Sequence, residues 1–96
     1  MAKKKEQKAK ANEVDYKSDF TVNRILRRGQ HGKDVRELQL ALIARGYACG
    51  RAGADGIFGD DTKAAVRAFQ GSARLTVNGI AGRQTVTALG GTWKEQ

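Results

Sequence analysis

A handful of side chains in this sequence have types that could do chemistry, and their spacing decides how far each can go. There is one histidine, His31, in a glycine-rich stretch, and one cysteine, Cys49, in a glycine- and arginine-bearing loop. A thiol activated by an imidazole would make a nucleophile, but nothing in the pattern brings these two together. A zinc site needs about three or four ligands of His, Cys or carboxylate type, and no such grouping occurs. Asp55, Asp60 and Asp61 resemble calcium ligands superficially, but the ligands of a calcium loop alternate along it. Two of these aspartates could also be chosen as a glycosidase pair, yet a turn and a helix start already explain them. The residues therefore point to a protein that is not an enzyme and that carries no metal or cofactor.

The elements that must hold these residues are helical. Val35, Leu38 and Leu42 recur on one face and predict a first helix over 33–45, with Gly46 as its left-handed C-terminal residue and Tyr47 folding back on the last turn. Ala65, Val66 and Phe69 predict a second helix over 60–72, with Asp60 and Asp61 in its first turn and Gly71 as its stop. Carboxylates there favour the positive end of the helix dipole. A short third helix is expected over 83–89, with Val86 and Leu89 inward and Arg83 at its start. Proline is absent, so glycines must punctuate these helices.

An internal repeat ties the elements together. Val35-Arg36-Glu37-Leu38-Gln39 matches Val66-Arg67-Ala68-Phe69-Gln70, and Asp55-Gly56-Ile57-Phe58-Gly59-Asp60-Asp61-Thr62 matches Asn78-Gly79-Ile80-Ala81-Gly82-Arg83-Gln84-Thr85. The second helix is shared, ending one unit and beginning the next. Asp-Gly and Asn-Gly are turn formers. After them, Ile57 and Ile80 are expected to point into the core, Gly59 and Gly82 to permit a sharp helix entry, and Thr62 and Thr85 to bond back to the turn. Gly32 occupies the same place before the first helix. Gln39 and Gln70, at equivalent ends of apolar triplets, read as buried amides bonded to loop backbone, and Phe58 and Phe69 as core.

The 96 residues fit one small domain with a modest core. The net charge is +8, with +3 in residues 1–24 and +5 in residues 25–96, so the folded part is basic in its own right. A basic surface suits an anionic polymer: nucleic acid, anionic lipid or bacterial wall. Residues 1–22 are expected to form a flexible basic tail, with Lys3, Lys4, Lys5, Lys8 and Lys10 available to an anionic surface, and residues 23–96 to form the domain. Phe20, Val22, Ile25 and Leu26 begin the apolar pattern at its edge. No stretch approaches the roughly 20 apolar residues of a membrane span. The basic N-terminus lacks the apolar run of a secretory signal. The expectation is therefore a chain that is cytoplasmic until lysis or another export route, or an excised fragment.

With these residues in place, the sequence resembles the type 1 peptidoglycan-binding domain. The resemblance runs through Leu26, Gly29, Gly32, Val35-x-x-Leu38-Gln39, Gly46-Tyr47, Asp55-Gly56-x-Phe58-Gly59-x-x-Thr62, Ala65-Val66-x-x-Phe69-Gln70, Gly79-x-x-Gly82-x-x-Thr85 and Leu89. It implies an all-α, closed three-helix bundle that docks on peptidoglycan and targets an associated lytic or remodelling enzyme to the wall, as in endolysins, amidases and carboxypeptidases. Two departures stand out. Asn78 replaces the aspartate of the second turn, which removes a charge, and Val86 stands where tryptophan is frequent. The implied partner is peptidoglycan, through stem peptide or glycan, with a wall hydrolase alongside. The module is expected to be a monomer.

Ligand candidates are groups the fold does not need: Tyr47 beside the long loop, Arg51 on that loop, and Arg83 and Gln84 at the third helix start, with Asp55 first a turn residue and second an acceptor. Arginine can hold a stem carboxylate through two parallel bonds. These residues suggest a shallow groove between the 46–58 loop and the third helix. Two other readings compete. One is non-specific nucleic-acid binding through the basic tail, although neither a recognition helix nor a stacking platform is apparent. The other is a protein–protein assembly module that reuses the fold.

Overall fold

The apolar stripes become three helices: α1 (Lys33–Ala44), α2 (Asp60–Ser72) and α3 (Arg83–Ala88). The structure is a computed structural model that describes residues 20–94; the expected lysine tail, including Lys3, Lys4, Lys5, Lys8 and Lys10, lies outside the described residues. Val35, Leu38 and Leu42 of α1, Val66 and Phe69 of α2, and Val86 and Leu89 at α3 are buried together. Each such side chain contributes about 1.5–3 kcal/mol by leaving water. Phe58 and Ala81, one from each turn, close the core between the helices.

Residues ahead of position 23 take part in the described structure. Phe20 and Val22 are core residues. Two short strands, β1 (Thr21–Val22) and β2 (Thr92–Trp93), pair in parallel. Thr92 N–H donates to the Phe20 carbonyl and Lys94 N–H to the Val22 carbonyl, each at 2.9 Å. Alternation in Phe20-Thr21-Val22 is too brief to read as a strand. Its partner lies some seventy residues away, so only the fold reveals the pair.

All three helices end in the same way. The residue three beyond the last helical one bonds back to a carbonyl five residues earlier: Tyr47 to Leu42, Leu75 to Gln70, and Gly91 to Val86, at 2.9, 2.9 and 3.0 Å. The residue just before that donor carries positive φ, as this motif requires. At Gly46 (φ 93°) and Gly90 (φ 91°) it is glycine, but at α2 it is Arg74 (φ 62°). Gly71, expected as the stop of α2, instead lies inside the helix. Tyr47 and Leu75, the residues after the left-handed position, both pack on the core.

Expectations around the turns also need correction. Ile57 is 59% exposed and Ile25 53% exposed, whereas Phe58 and Leu26, the next residue in each case, are buried. Asp55 Oδ1 accepts the Ile57 N–H at 3.0 Å; this tight turn aims the Ile57 side chain outward and brings Phe58 inward. The second turn repeats this with Asn78 Oδ1 and Ile80 N–H, leaving Ile80 half-buried and Ala81 in the core. Gly59 and Gly82, read as conformationally special, are extended at φ −107° and −98°, which any residue adopts. They serve as helix caps through their carbonyls, which accept from Lys63 N–H and Val86 N–H.

Candidate functional site

Two buried glutamines organise everything around the turns. Gln39 and Gln70 are 0% and 1% exposed, so each amide must find partners inside the protein. Gln39 Nε2 donates to Ile57 O at 3.0 Å, Thr62 Oγ1 at 2.9 Å and Asp55 Oδ1 at 3.2 Å, two N–H groups shared among three acceptors. Gln39 Oε1 accepts the Gly56 N–H at 2.8 Å. Gln70 makes the same set one unit later, with Ile80 O, Thr85 Oγ1 and Asn78 Oδ1 as acceptors and Asn78 and Gly79 N–H as donors. Thr62 and Thr85 therefore reach their turns through the glutamine, not directly as expected.

The lead-in before α1 clamps both turns. Leu26 exchanges backbone bonds with Ala81. Gly29 N–H donates to Phe58 O, Phe58 N–H to Gln30 O, and Gly32 N–H to Gly56 O, each at 2.9 Å. Arg24 anchors the clamp by donating to both Asp34 carboxylate oxygens, at 2.7 and 2.9 Å, and to His31 O at 2.9 Å. This pairing holds the Asp34 carboxyl below its ordinary value.

Between clamp and first turn lies an open groove of about 590 Å³, lined by Gly29 to Lys33, Arg36 and Asp55 to Ile57. Gly32 is one of the lining residues. Its φ of 141° favours glycine, and a Cβ there would meet Asp34 and Arg24 atoms at 3.1 and 3.3 Å. Lys33 and Arg36 bring cations to the groove, and exposed Ile57 gives it an apolar wall. Asp55 spends Oδ1 on Ile57 N–H and Gln39, and these bonds keep its carboxyl ionised below the usual range. No Phe, Tyr or Trp lines the groove.

The second unit has the corresponding depression at Asn78, Gly79 and Ile80, with Arg27, Arg28 and Lys63 around it, but its volume is only about 170 Å³. Helix geometry explains the difference. Counted back from its glutamine, α2 starts four residues earlier than α1: ten residues before Gln70 against six before Gln39. Lys63 thus stands where the first unit has Gly32. Its stem, with that of Arg67, lies across Gly79, where a Cβ would come within 2.8 Å of Lys63 Cγ.

The five residues singled out from the sequence are not gathered in one place. Asp55 lines the open groove. Tyr47 is half-buried at the far end of α1, edge-on to Phe69 at 5.7 Å, and lines a separate depression with Arg45 and Ser72. Arg51, Arg83 and Gln84 are exposed and line neither. Gly32, Lys33, Arg36 and Ile57, which line the open groove, were not among the five. Cys49 is buried, with its thiol pushed up to about 11 by burial, and no group of three or more metal-ligating side chains occurs among the described residues.

A family model described as "Putative peptidoglycan binding domain" matches residues 31–89. A probable N-acetylmuramoyl-L-alanine amidase of Bacillus licheniformis is 42% identical over 65 residues, covering 68% of this chain and 18% of its own. The type VI secretion system spike protein VgrG3 of Vibrio cholerae is 42% identical over 74 residues, covering 66% of this chain and 7% of its own. The chain thus spans a small fraction of the curated relatives it matches. Among solved structures, the SleB N-terminal domain superposes with a TM-score of 0.67 at 40% identity, covering 72% of this chain and 92% of that one. A Burkholderia AP3 phage endolysin gives 0.63 at 45% identity, covering 69% and 24%.

Proposed function

This chain belongs to the peptidoglycan-binding domain family, and from that premise we propose that it holds peptidoglycan without cleaving it, using the open groove beside Gly32 to grip the stem peptide. The observation that carries the reading is the composition of the groove. Lys33 and Arg36 can pair with stem carboxylates, the outward Ile57 side chain can cover alkyl groups of the stem, and the outer oxygen of Asp55 can accept an amide N–H. A sugar face would call for a stacking aromatic ring, and the lining residues offer none.

A groove this open binds weakly, in the micromolar to millimolar range (roughly −8 to −4 kcal/mol). A repeating polymer makes that sufficient, because each dissociation leaves the module beside another copy of its ligand. In the same reading the module brings a wall hydrolase to its substrate, as its place within amidases and an endolysin suggests.

Co-sedimentation of a Lys33→Gln/Arg36→Gln variant with purified sacculi tests the groove. The pellet fraction should fall while the thermal transition stays in place. A soluble stem peptide should displace the parent protein, and a peptide-free glycan should not. Undiminished co-sedimentation of the double variant would remove the groove from consideration. The same assay on Arg51→Ala/Arg83→Ala tests the alternative site. A second reading, an assembly module reusing the fold, has the secretion spike likeness in its favour; capture of a partner protein without any sacculus binding would support it.

A further inference from the structure

The two copies of the groove also differ in charge. Every described carboxylate, Asp34, Glu37, Asp55, Asp60 and Asp61, precedes Thr62, and from Thr62 to Lys94 the chain carries Lys63, Arg67, Arg74, Arg83 and Lys94 with no acid among them. The second depression concentrates that asymmetry. Arg27, Arg28 and Lys63 line it, and the Arg67 stem lies against Gly79 beside it. Asn78 keeps the turn that Asp55 makes, through the same bond to the isoleucine N–H, but contributes no negative charge. Arg28 reaches Asp60 at 2.6 Å in a pair that is 63% and 81% exposed. Such a pair is weak in water, so an incoming anion can compete for Arg28.

From this juxtaposition we infer that the second groove is an anion seat, distinct from the stem-peptide groove, that takes the phosphodiester backbone of a polyol-phosphate wall polymer. The seat is shallow because Lys63 and Arg67 fill it. These two lie one helical turn apart on one face of α2, so they present a row of charge to a chain of phosphates instead of a cavity for one ring. No Phe, Tyr or Trp lines it, so nucleic-acid bases would find nothing to stack on. Counter-ion release from the polyanion supplies the driving force and makes binding steeply salt-dependent.

Calorimetric titration of the full chain and of a Lys63→Gln/Arg67→Gln variant with a synthetic oligo(glycerol phosphate), at two salt concentrations, tests the inference. The variant should bind at least tenfold more weakly and with a shallower salt dependence; equal affinity overturns it. A single-stranded DNA with the same number of phosphates is the second probe. DNA binding as tight as the polyol-phosphate, lost in the same variant, would assign the seat to nucleic acid and refute the wall-polymer reading. Sacculi stripped of polyol-phosphate separate the two grooves: they should retain Lys63→Gln/Arg67→Gln and release Lys33→Gln/Arg36→Gln. Failure of stripped sacculi to retain even the parent would sink the stem-peptide reading and leave the phosphate titration as the judge of this one.

Discussion

Replacing Arg74 with glycine should make this protein more stable, although it removes a side chain and adds none. Arg74 holds φ 62° because the end of α2 needs a left-handed residue for the Leu75 N–H to reach Gln70 O at 2.9 Å. For a residue with a Cβ that conformation costs roughly 1–2 kcal/mol. Glycine removes the cost but gives the unfolded chain more freedom, worth about 0.4–1 kcal/mol in the opposite direction. The net expectation is a gain of about 0.5–1 kcal/mol, or roughly 2–8 °C in the thermal midpoint of a domain this small. Arg74→Ala is the control, since it deletes the charge and stem while keeping the Cβ and its strain. Scanning calorimetry of both variants isolates the backbone term as their difference. The converse changes, Gly46→Ala and Gly90→Ala, place a Cβ at φ 93° and 91° and should each lower the midpoint by a comparable amount. The reasoning fails if Arg74→Gly melts no higher than Arg74→Ala, or if the two glycine replacements cost nothing.

Other outcomes follow from the turns. Gln39→Leu strands the buried Gly56 N–H and two acceptors and should cost about 2–5 kcal/mol in urea denaturation, with Gln70→Leu close to it; a loss under about 1 kcal/mol would show that the hubs are dispensable. Gly32→Ala, at φ 141° against Asp34 and Arg24, should destabilise, whereas Gly82→Ala, extended with nothing within 4 Å of the new Cβ, should be neutral or gain up to about 1 kcal/mol; equal effects would contradict the geometry. The Asp34 and Asp55 carboxyls are held below their ordinary value in the folded state. Their contribution is therefore present above the unfolded value near 4 and is lost as pH falls through the folded values. Asp55→Asn, which copies Asn78, should keep the fold and lose less stability between pH 7 and pH 3 than the parent, and an undiminished acid loss would remove Asp55 from the account.

The helices were legible because their evidence is local. Val35, Leu38 and Leu42, or Ala65, Val66 and Phe69, declare a buried face within two turns, and the described helix bounds differ from the expected ones by one residue or none. The glutamine hubs were also legible, since two amides at equivalent places after apolar triplets have few other uses. What failed was anything that depended on the precise aim of a turn. The Asp-Gly bond to Ile57 N–H decides which of two adjacent apolar residues faces the core, and composition treats Ile57 and Phe58 alike. Gly71 looked like a helix stop because glycine usually is one, while the residue that bears the strain, Arg74, carries no signal of it. The residues singled out for a ligand lie apart in the fold, because local spacing does not say which loops meet. Tyr47 packs edge-on against Phe69, and Gly32 and Lys63, at equivalent places in the repeat, leave different space beside the two turns.

The parallel pairing of β1 and β2 bears on mechanics. The chain arrives at the start of β1 and departs from the end of β2, so a pull on both ends drags the two segments past each other along their length. The bonds from Thr92 N–H to Phe20 O and from Lys94 N–H to Val22 O are then loaded in shear and must yield together, and Phe20 must leave the core as they do. In an antiparallel pair they would peel one after the other. Under such a load this geometry acts as a latch. Single-molecule stretching through residues 20 and 94 should record a higher rupture force than stretching through residues 20 and 46, and the reverse order would deny the latch.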